Sequence, residues 1–359
     1  MMEPAIGTLL PTFFRRRQFV SYEAADIEHR HGQDVAVAWT IFRLNWLFLA
    51  LLLAIFDLAL LLTDFRIRPL GYLGVLAVAA MYGISGHLNA RSAQCAKPRL
   101  FSCLIGFAQA TLGLSILTSL TYIATAANLP LQDAALLAID RALGFDFRHF
   151  LTFVDCREWL IHILSFGYRA ISWMIQVIIV ALPLTGYCRR TAEFILALML
   201  ALAVTCCITI AVPAIGAYHA LGLVPSDYLH ISPGGYYDTA REMPLIRDGS
   251  LRLLDLSKFV GVVTFPSFHA ASAILYGWAL WPWRWFRPVN IFINAAMLVA
   301  TPIGGGHFLI DVLAGIAVAI LAIYGAQSAH RLGSVDGAPI SQTVSRLLAP
   351  PIRPFLKRS

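Results

Sequence analysis

The sequence predicts an all-α, polytopic membrane bundle of about eight spans, and three observations carry that prediction. Hydrophobic residues fill 58% of the 359 positions and charged residues only 13%, where a soluble domain would carry roughly a quarter. Mean hydropathy is +0.71. Several apolar runs reach the ~20 residues that a helix needs to cross a bilayer. The net charge of +7 is therefore read as topology and not as a nucleic-acid footprint, and no nucleic-acid partner is expected.

Taken in order, residues 1–38 form a cytoplasmic tail, partly an interfacial helix. Two spans follow, about Trp39–Leu62 and Leu70–Leu88, then a basic loop with Arg91, Lys97 and Arg99. The first apolar run lies behind Arg15-Arg16-Arg17, too far in for a cleaved signal peptide. A third span covers about Leu100–Ala124. Residues 128–158 mix charged and apolar positions and lie along the interface, with Gly144 ending a short helix. A fourth span, Trp159–Leu182, and a fifth, Ala192–Pro213, flank Arg189-Arg190. A polar segment rich in Pro and Gly leads to a sixth, Pro266–Trp281. A turn with Arg284 and Arg287 precedes a seventh, Val289–Ile303, and an eighth runs from Gly304 to about Ala326 before a basic tail from 329 to 359. The six cysteines suggest buried or unpaired thiols with no disulfide framework.

Orientation follows from Lys and Arg on alternate sides of these spans. With the N-terminus inside, the inner segments hold about 16 and the longer outer ones about 9. Both termini are therefore expected inside the cell membrane. The stretches Phe265-Pro266-Ser267-Phe268-His269 and Gly304-Gly305-Gly306-His307-Phe308-Leu309-Ile310-Asp311 then both fall on the outer edge.

These two edges carry the chemistry. His307 and Asp311 are four residues apart, so a helix would place them on one face, where the carboxylate orients one ring nitrogen and leaves the other free as a nucleophile. Pro266 fits a first helical turn, and Ser267 beside it puts a hydroxyl near unpaired amides where phosphate is favoured. His269 is then placed to deliver a proton. Asp311, one turn inside a span, is costly there unless paired or used.

The residues at 266–269 and 307–311, the latter continuing Val312-Leu313-Ala314-Gly315, resemble the signatures of the type 2 phosphatidic acid phosphatase superfamily. Within it, the branch of inositol phosphorylceramide synthases and their bacterial relatives is the nearest likeness, and Ile139-Asp140-Arg141-Ala142-Leu143-Gly144-Phe145-Asp146 looks like that branch's pre-core stretch. The resemblance implies a six-helix core over residues 100–328, with residues 39–95 as two added spans. It implies that His307 attacks phosphorus and becomes a phosphohistidine, that Asp311 orients it, and that His269 protonates the leaving alkoxide and then activates water or an alcohol. The implied partners are a membrane lipid with a phosphate-linked head group and an alcohol acceptor. The scheme calls for no metal and no cofactor.

The chain departs from the phosphatase pattern at two phosphate clamps. Ala300 and Thr301 stand where a Ser-Arg pair precedes the nucleophile, and Val212–His219 contains no Lys or Arg. Both departures tilt the reading toward transfer to an alcohol, with a lipid-phosphate or polyprenyl-diphosphate phosphatase as the hydrolytic alternative. Arg169, deep in the fourth span, is the candidate replacement cation, with Arg241, Arg247, Arg252 and Lys258 of the outer segment as alternatives; a structural ion pair is the competing account of Arg169. Two other classes use the same residues: a metalloenzyme holding His269, His307 and Asp311 as a two-histidine, one-carboxylate set, and a proton-coupled transporter.

Overall fold

The computed structural model describes the backbone of residues 10–92, 97–259 and 261–333, and side chains of 34–92, 97–259 and 261–329. The basic tail beyond residue 333 and the side chains of Arg15, Arg16, Arg17 and Arg30 lie outside the described residues. The elements run α1 (Leu10–Leu62), β1 (Arg66–Ile67), α2 (Pro69–Arg91), α3 (Pro98–Thr125), α4 (Asp133–Ala142), α5 (Phe147–Asp155), α6 (Glu158–Leu184) and α7 (Cys188–Ala211). They continue with α8 (Ala217–Ala220), α9 (Gly234–Arg247), β2 (Leu253–Leu254), α10 (Phe268–Ala279), α11 (Arg287–Gly305) and α12 (Leu309–Gly333). Proline opens α2 and α3, where its missing N–H would have lacked a helical partner anyway. The expected tail helix is continuous with the first span.

Seven of these helices are long and apolar enough to cross a bilayer: Asp34–Leu62 within α1, then α2, α3, α6, α7, α11, and Leu309–Ala329 within α12. The molecule is therefore an integral membrane protein. They match seven of the eight expected spans. The remaining one, expected over Pro266–Trp281, is only the 12-residue α10. At 1.5 Å per residue it covers about 18 Å, against a hydrocarbon core of about 30 Å. Proline limits it at both ends. Pro266 stays outside the helix, ahead of the capping residue Ser267, and Pro282 biases Trp281 away from helical geometry. α10 is nevertheless central, packed against α6, α7, α11 and α12.

Two kinds of contact attach the N-terminal spans to the rest. Within the bundle, Asn45 of α1 donates to the Gln109 side chain of α3 at 3.0 Å and to the Ala192 carbonyl of α7 at 3.3 Å, and Gln109 donates to the Phe42 carbonyl at 2.8 Å. Both side chains are fully buried. At the helix ends, β1 pairs in parallel with β2, and Arg68 bonds Asp255 at 2.8 Å. The Ser257 hydroxyl, then Arg68, hold the Asp255 carboxyl down at about 2.

At the opposite end, Arg190 of α7 covers the Trp278 ring at 4.1 Å and donates to its carbonyl, and Arg287 covers Trp281 at 4.8 Å. The tryptophan cluster and the arginines of the expected inner loops thus share one end of the bundle. The starts of α10 and α12 share the other.

Gln109→Leu should leave Asn45 without its side-chain partner in an apolar interior. Thermal unfolding in detergent should show a loss of about 1–2 kcal/mol, the range for interhelical hydrogen bonds in membranes.

Candidate active site

The site forms where three chain segments meet at that end. α11 closes on Gly306, whose φ of +69° is left-handed; a side chain there would be strained. The chain then turns through His307 and enters α12 at Leu309. His307 therefore precedes the helix instead of opening it, which corrects the expectation of one shared helical face with Asp311. The pair still meets, through a cap. Asp311 sits in the first turn of α12, and its Oδ2 accepts the Phe308 N–H at 2.9 Å and lies 3.3 Å from His307 Nδ1. This is the N3-carboxylate half of a capping box. It points the Nε2 edge of His307 away from the carboxylate. Asp311 is completely buried and His307 is 3% exposed.

α10 brings the second edge. Ser267 is its N-cap, and the hydroxyl accepts the Ala270 N–H at 3.3 Å, so this oxygen is engaged within its own helix. The Ser267 N–H donates to the Asp311 carbonyl at 3.0 Å, a direct backbone joint between the two motifs. The joint needs Gly315: a Cβ there would lie 2.2 Å from the Ser267 carbonyl oxygen. The first two amides of α10, those of Phe268 and His269, have no partner among the described residues, as a helix start leaves them. His269, half-buried, sits with its ring centroid 6.5 Å from that of His307, tilted by 56°.

The N-terminus of α12, by contrast, is already occupied. Asp140 of α4 accepts the N–H groups of Leu309 and Ile310 at 2.7 and 2.9 Å. Two turns earlier on the same helix, Asp133 accepts those of Ile215 and Gly216, at 3.0 and 2.7 Å from its Oδ1. The segment Val212–His219, which lacks the expected cation, instead braces the turn. Ala217 N–H donates to the Gly306 carbonyl at 2.7 Å and the Tyr218 hydroxyl to that of Ile303 at 2.9 Å. Ala300 lines a cavity, and Thr301 spends its hydroxyl on the Met297 carbonyl at 2.8 Å.

That cavity, about 290 Å³, lies between α6, α11 and residues 231–235, and its polar lining includes Ser165, Tyr168, Arg169 and Ser232. Arg169 is exposed there with no ion-pair partner among the described residues, so the structural ion pair weighed against its phosphate role does not form. Tyr168 forms the wall toward the histidines, its ring stacked on His269 at 4.1 Å and 8°. Sequence reasoning missed Tyr168 and Asp133, which have no local motif, and met Asp140 only within the Ile139–Asp146 stretch without its capping role; their partners are between 82 and 170 residues away.

No three His, Cys, Asp or Glu residues gather into a metal-binding group among the described residues. His269, His307 and Asp311 are thus not placed as one donor set. His162 and His230 are exposed and lie 4.0 and 3.6 Å from Glu158 and Asp155.

The fold is a largely helical membrane bundle with a His–Asp pair near a second imidazole at one end. A model of the PAP2 superfamily matches residues 134–325, more than half of the chain, and the chain belongs to that superfamily. Its family-level activity is phosphatase-type chemistry on lipid phosphoesters. Neither the curated proteins nor the solved structures contain a match.

Burial raises the Asp140 carboxyl above the ordinary carboxylate range, outweighing the two amides that pull it down. A group raised in this way contributes fully below its unfolded pKa of ~4 and less as pH climbs through the folded value. Asp140→Asn should flatten that part of the stability–pH curve. Asp140→Ala, which removes the acceptor of the Leu309 and Ile310 amides, should lower stability by about 1–2 kcal/mol in a thermal melt.

Proposed function

We propose that the chain is a lipid phosphotransferase working through a phosphohistidine, similar in activity to inositol phosphorylceramide synthases, with an alcohol as acceptor. The observation that carries this reading is the His307–Asp311 pair facing His269 across 6.5 Å. Ring centres that close let one nitrogen of each imidazole address the same phosphoryl group. In this scheme His307 Nε2 attacks phosphorus while Asp311 holds Nδ1 and balances the charge that develops on the ring. The P–O bond to the leaving group breaks, and His269 gives that oxygen its proton. His269 then takes a proton from the incoming alcohol, which attacks the phosphohistidine and frees His307.

Phosphate charge is held by the free amides at the start of α10 and by Arg169. Ser267 contributes by capping that helix and so aiming its amides. The absence of the two usual clamps, at Ala300-Thr301 and Val212–His219, favours transfer over plain hydrolysis. We take residues 100–328 as the catalytic core, residues 39–95 as two added spans, and residues 1–38 and 329–359 as cytoplasmic tails. The site then faces the outer side of the cell membrane, by the distribution of Lys and Arg.

The test is to incubate the purified protein and its His307→Ala variant with a total lipid extract and identify products by mass spectrometry. Head-group exchange that His307→Ala abolishes supports the proposal; phosphate release alone would favour the hydrolytic alternative. Arg169→Ala should reduce turnover at least tenfold, and full turnover in both Arg169→Ala and Arg169→Lys would remove Arg169 from the scheme. Flux across liposomes that survives His307→Gln, without phosphoester chemistry, would point instead to a transporter.

A further inference from the structure

The scheme above leaves one polar group at the site without a task, the phenol of Tyr168. Its ring stacks on His269 at 4.1 Å and lines the cavity that holds Arg169, Ser165 and Ser232. The hydroxyl makes no hydrogen bond with any described residue. It nevertheless occupies a seat that three glycines keep open. A Cβ on Gly235 would stand 2.2 Å from the hydroxyl oxygen, and one on Gly304 would stand 2.8 Å from two ring carbons. A Cβ on Gly305 would meet the hydroxyl at 3.1 Å and His307 Nε2 at 2.9 Å. The phenol oxygen and the free nitrogen of His307 thus flank a single point at nearly equal distances.

We infer that Tyr168 is a further catalytic residue of the phosphoryl transfer proposed above, on which this inference rests: its hydroxyl donates a hydrogen bond to a non-bridging phosphoryl oxygen as His307 Nε2 attacks. The chemistry calls for such a donor. Charge in the transition state spreads over the equatorial oxygens, and a fixed donor in a water-poor site stabilises it without reorganising. Two clamps are missing from this chain, and Arg169 lies on the cavity side of the Tyr168 ring. The phenol oxygen and the attacking nitrogen lie 3.1 and 2.9 Å from the same position beside Gly305, and an unpartnered hydroxyl gives up no protein hydrogen bond to serve. It transfers no proton: the N–P bond forms, the P–O bond breaks, and the leaving oxygen still takes its proton from His269.

The full chain in nanodiscs is to be assayed for head-group exchange from a fluorescent-tailed phospholipid to an added alcohol, and titrated with orthovanadate, which mimics the five-coordinate phosphoryl group. Tyr168→Phe keeps the stacked ring and removes only the oxygen. It should lower kcat roughly 10²-fold with KM little changed, weaken vanadate at least tenfold, and leave the limbs of the pH profile in place. Gly235→Ala, which crowds the hydroxyl, should weaken vanadate similarly in the wild-type background and have little further effect beside Tyr168→Phe. A merely structural role predicts additive losses instead. Wild-type vanadate affinity and kcat in Tyr168→Phe would overturn the inference while leaving the phosphohistidine reading standing, provided His307→Ala abolishes vanadate binding. Vanadate behaviour that His307→Ala leaves untouched would overturn both.

Discussion

Two carboxylates on one short helix hold this site together. Asp133 and Asp140 are seven residues apart, so α4 presents them on one face two turns apart. One gathers the amides of Ile215 and Gly216, the other those of Leu309 and Ile310. The segment behind the turn and the helix after it are thereby fixed to one rigid body. Asp155, on the next helix, does the same for the amides of Leu229, His230 and Ile231. Charged acceptors bind backbone N–H groups about twice as strongly as neutral ones. The amphipathic segment between the third and fourth spans is therefore a clasp whose jaws are carboxylates and whose grip is on peptide groups. It adds to the bonds from Ala217, Tyr218 and Ser267 that fix the turn Gly304–Phe308 and the helix after it.

The clasp changes how the phosphate chemistry has to be arranged. Helix N-termini are natural anion sites, and two of them meet here. That of α12 is filled by Asp140 and Asp311, which leaves α10 as the one with amides to offer. The same arrangement offsets part of the cost of burying Asp311: Oδ2 is shared between the Phe308 amide and His307, while Oδ1 is buried with no hydrogen-bond partner among the described residues. The backbone joint from Ser267 N–H to the Asp311 carbonyl then makes the two motifs a single unit.

Much of this was legible from residue order alone. Seven apolar runs became seven long helices with similar limits, and the motif pairs at 266–269 and 307–311 were brought to one end, as a hairpin topology requires. Two local geometries were not legible. The expectation that His307 shares a helix with Asp311 ignored Gly306, whose left-handed conformation ends one helix and delays the next. The full sixth span ignored Pro266 and Pro282, which trim it from both sides. The roles of Asp133, Asp140 and Tyr168 were beyond reach for a different reason. Each depends on a partner far away in the chain, and an aspartate near a loop has the same local signature whether it caps a distant helix or faces water.

The shortness of α10 has a further consequence. A chain that enters an apolar bundle in extended form carries peptide groups that no helix satisfies, and lipid offers them nothing. Here threonines supply the difference. Thr209 of α7 reaches the Phe265 carbonyl at 3.0 Å and Thr239 of α9 that of Gly261 at 3.2 Å, while the hydroxyl of Thr264 is bonded in turn to the carbonyl of Ile215 at 3.4 Å. These hydroxyls act as a lining that satisfies irregular backbone inside the helical bundle. In the proposed scheme that lining is what would let His269 reach a lipid ester at the ester's own depth, so that the substrate need not be lifted out of its leaflet.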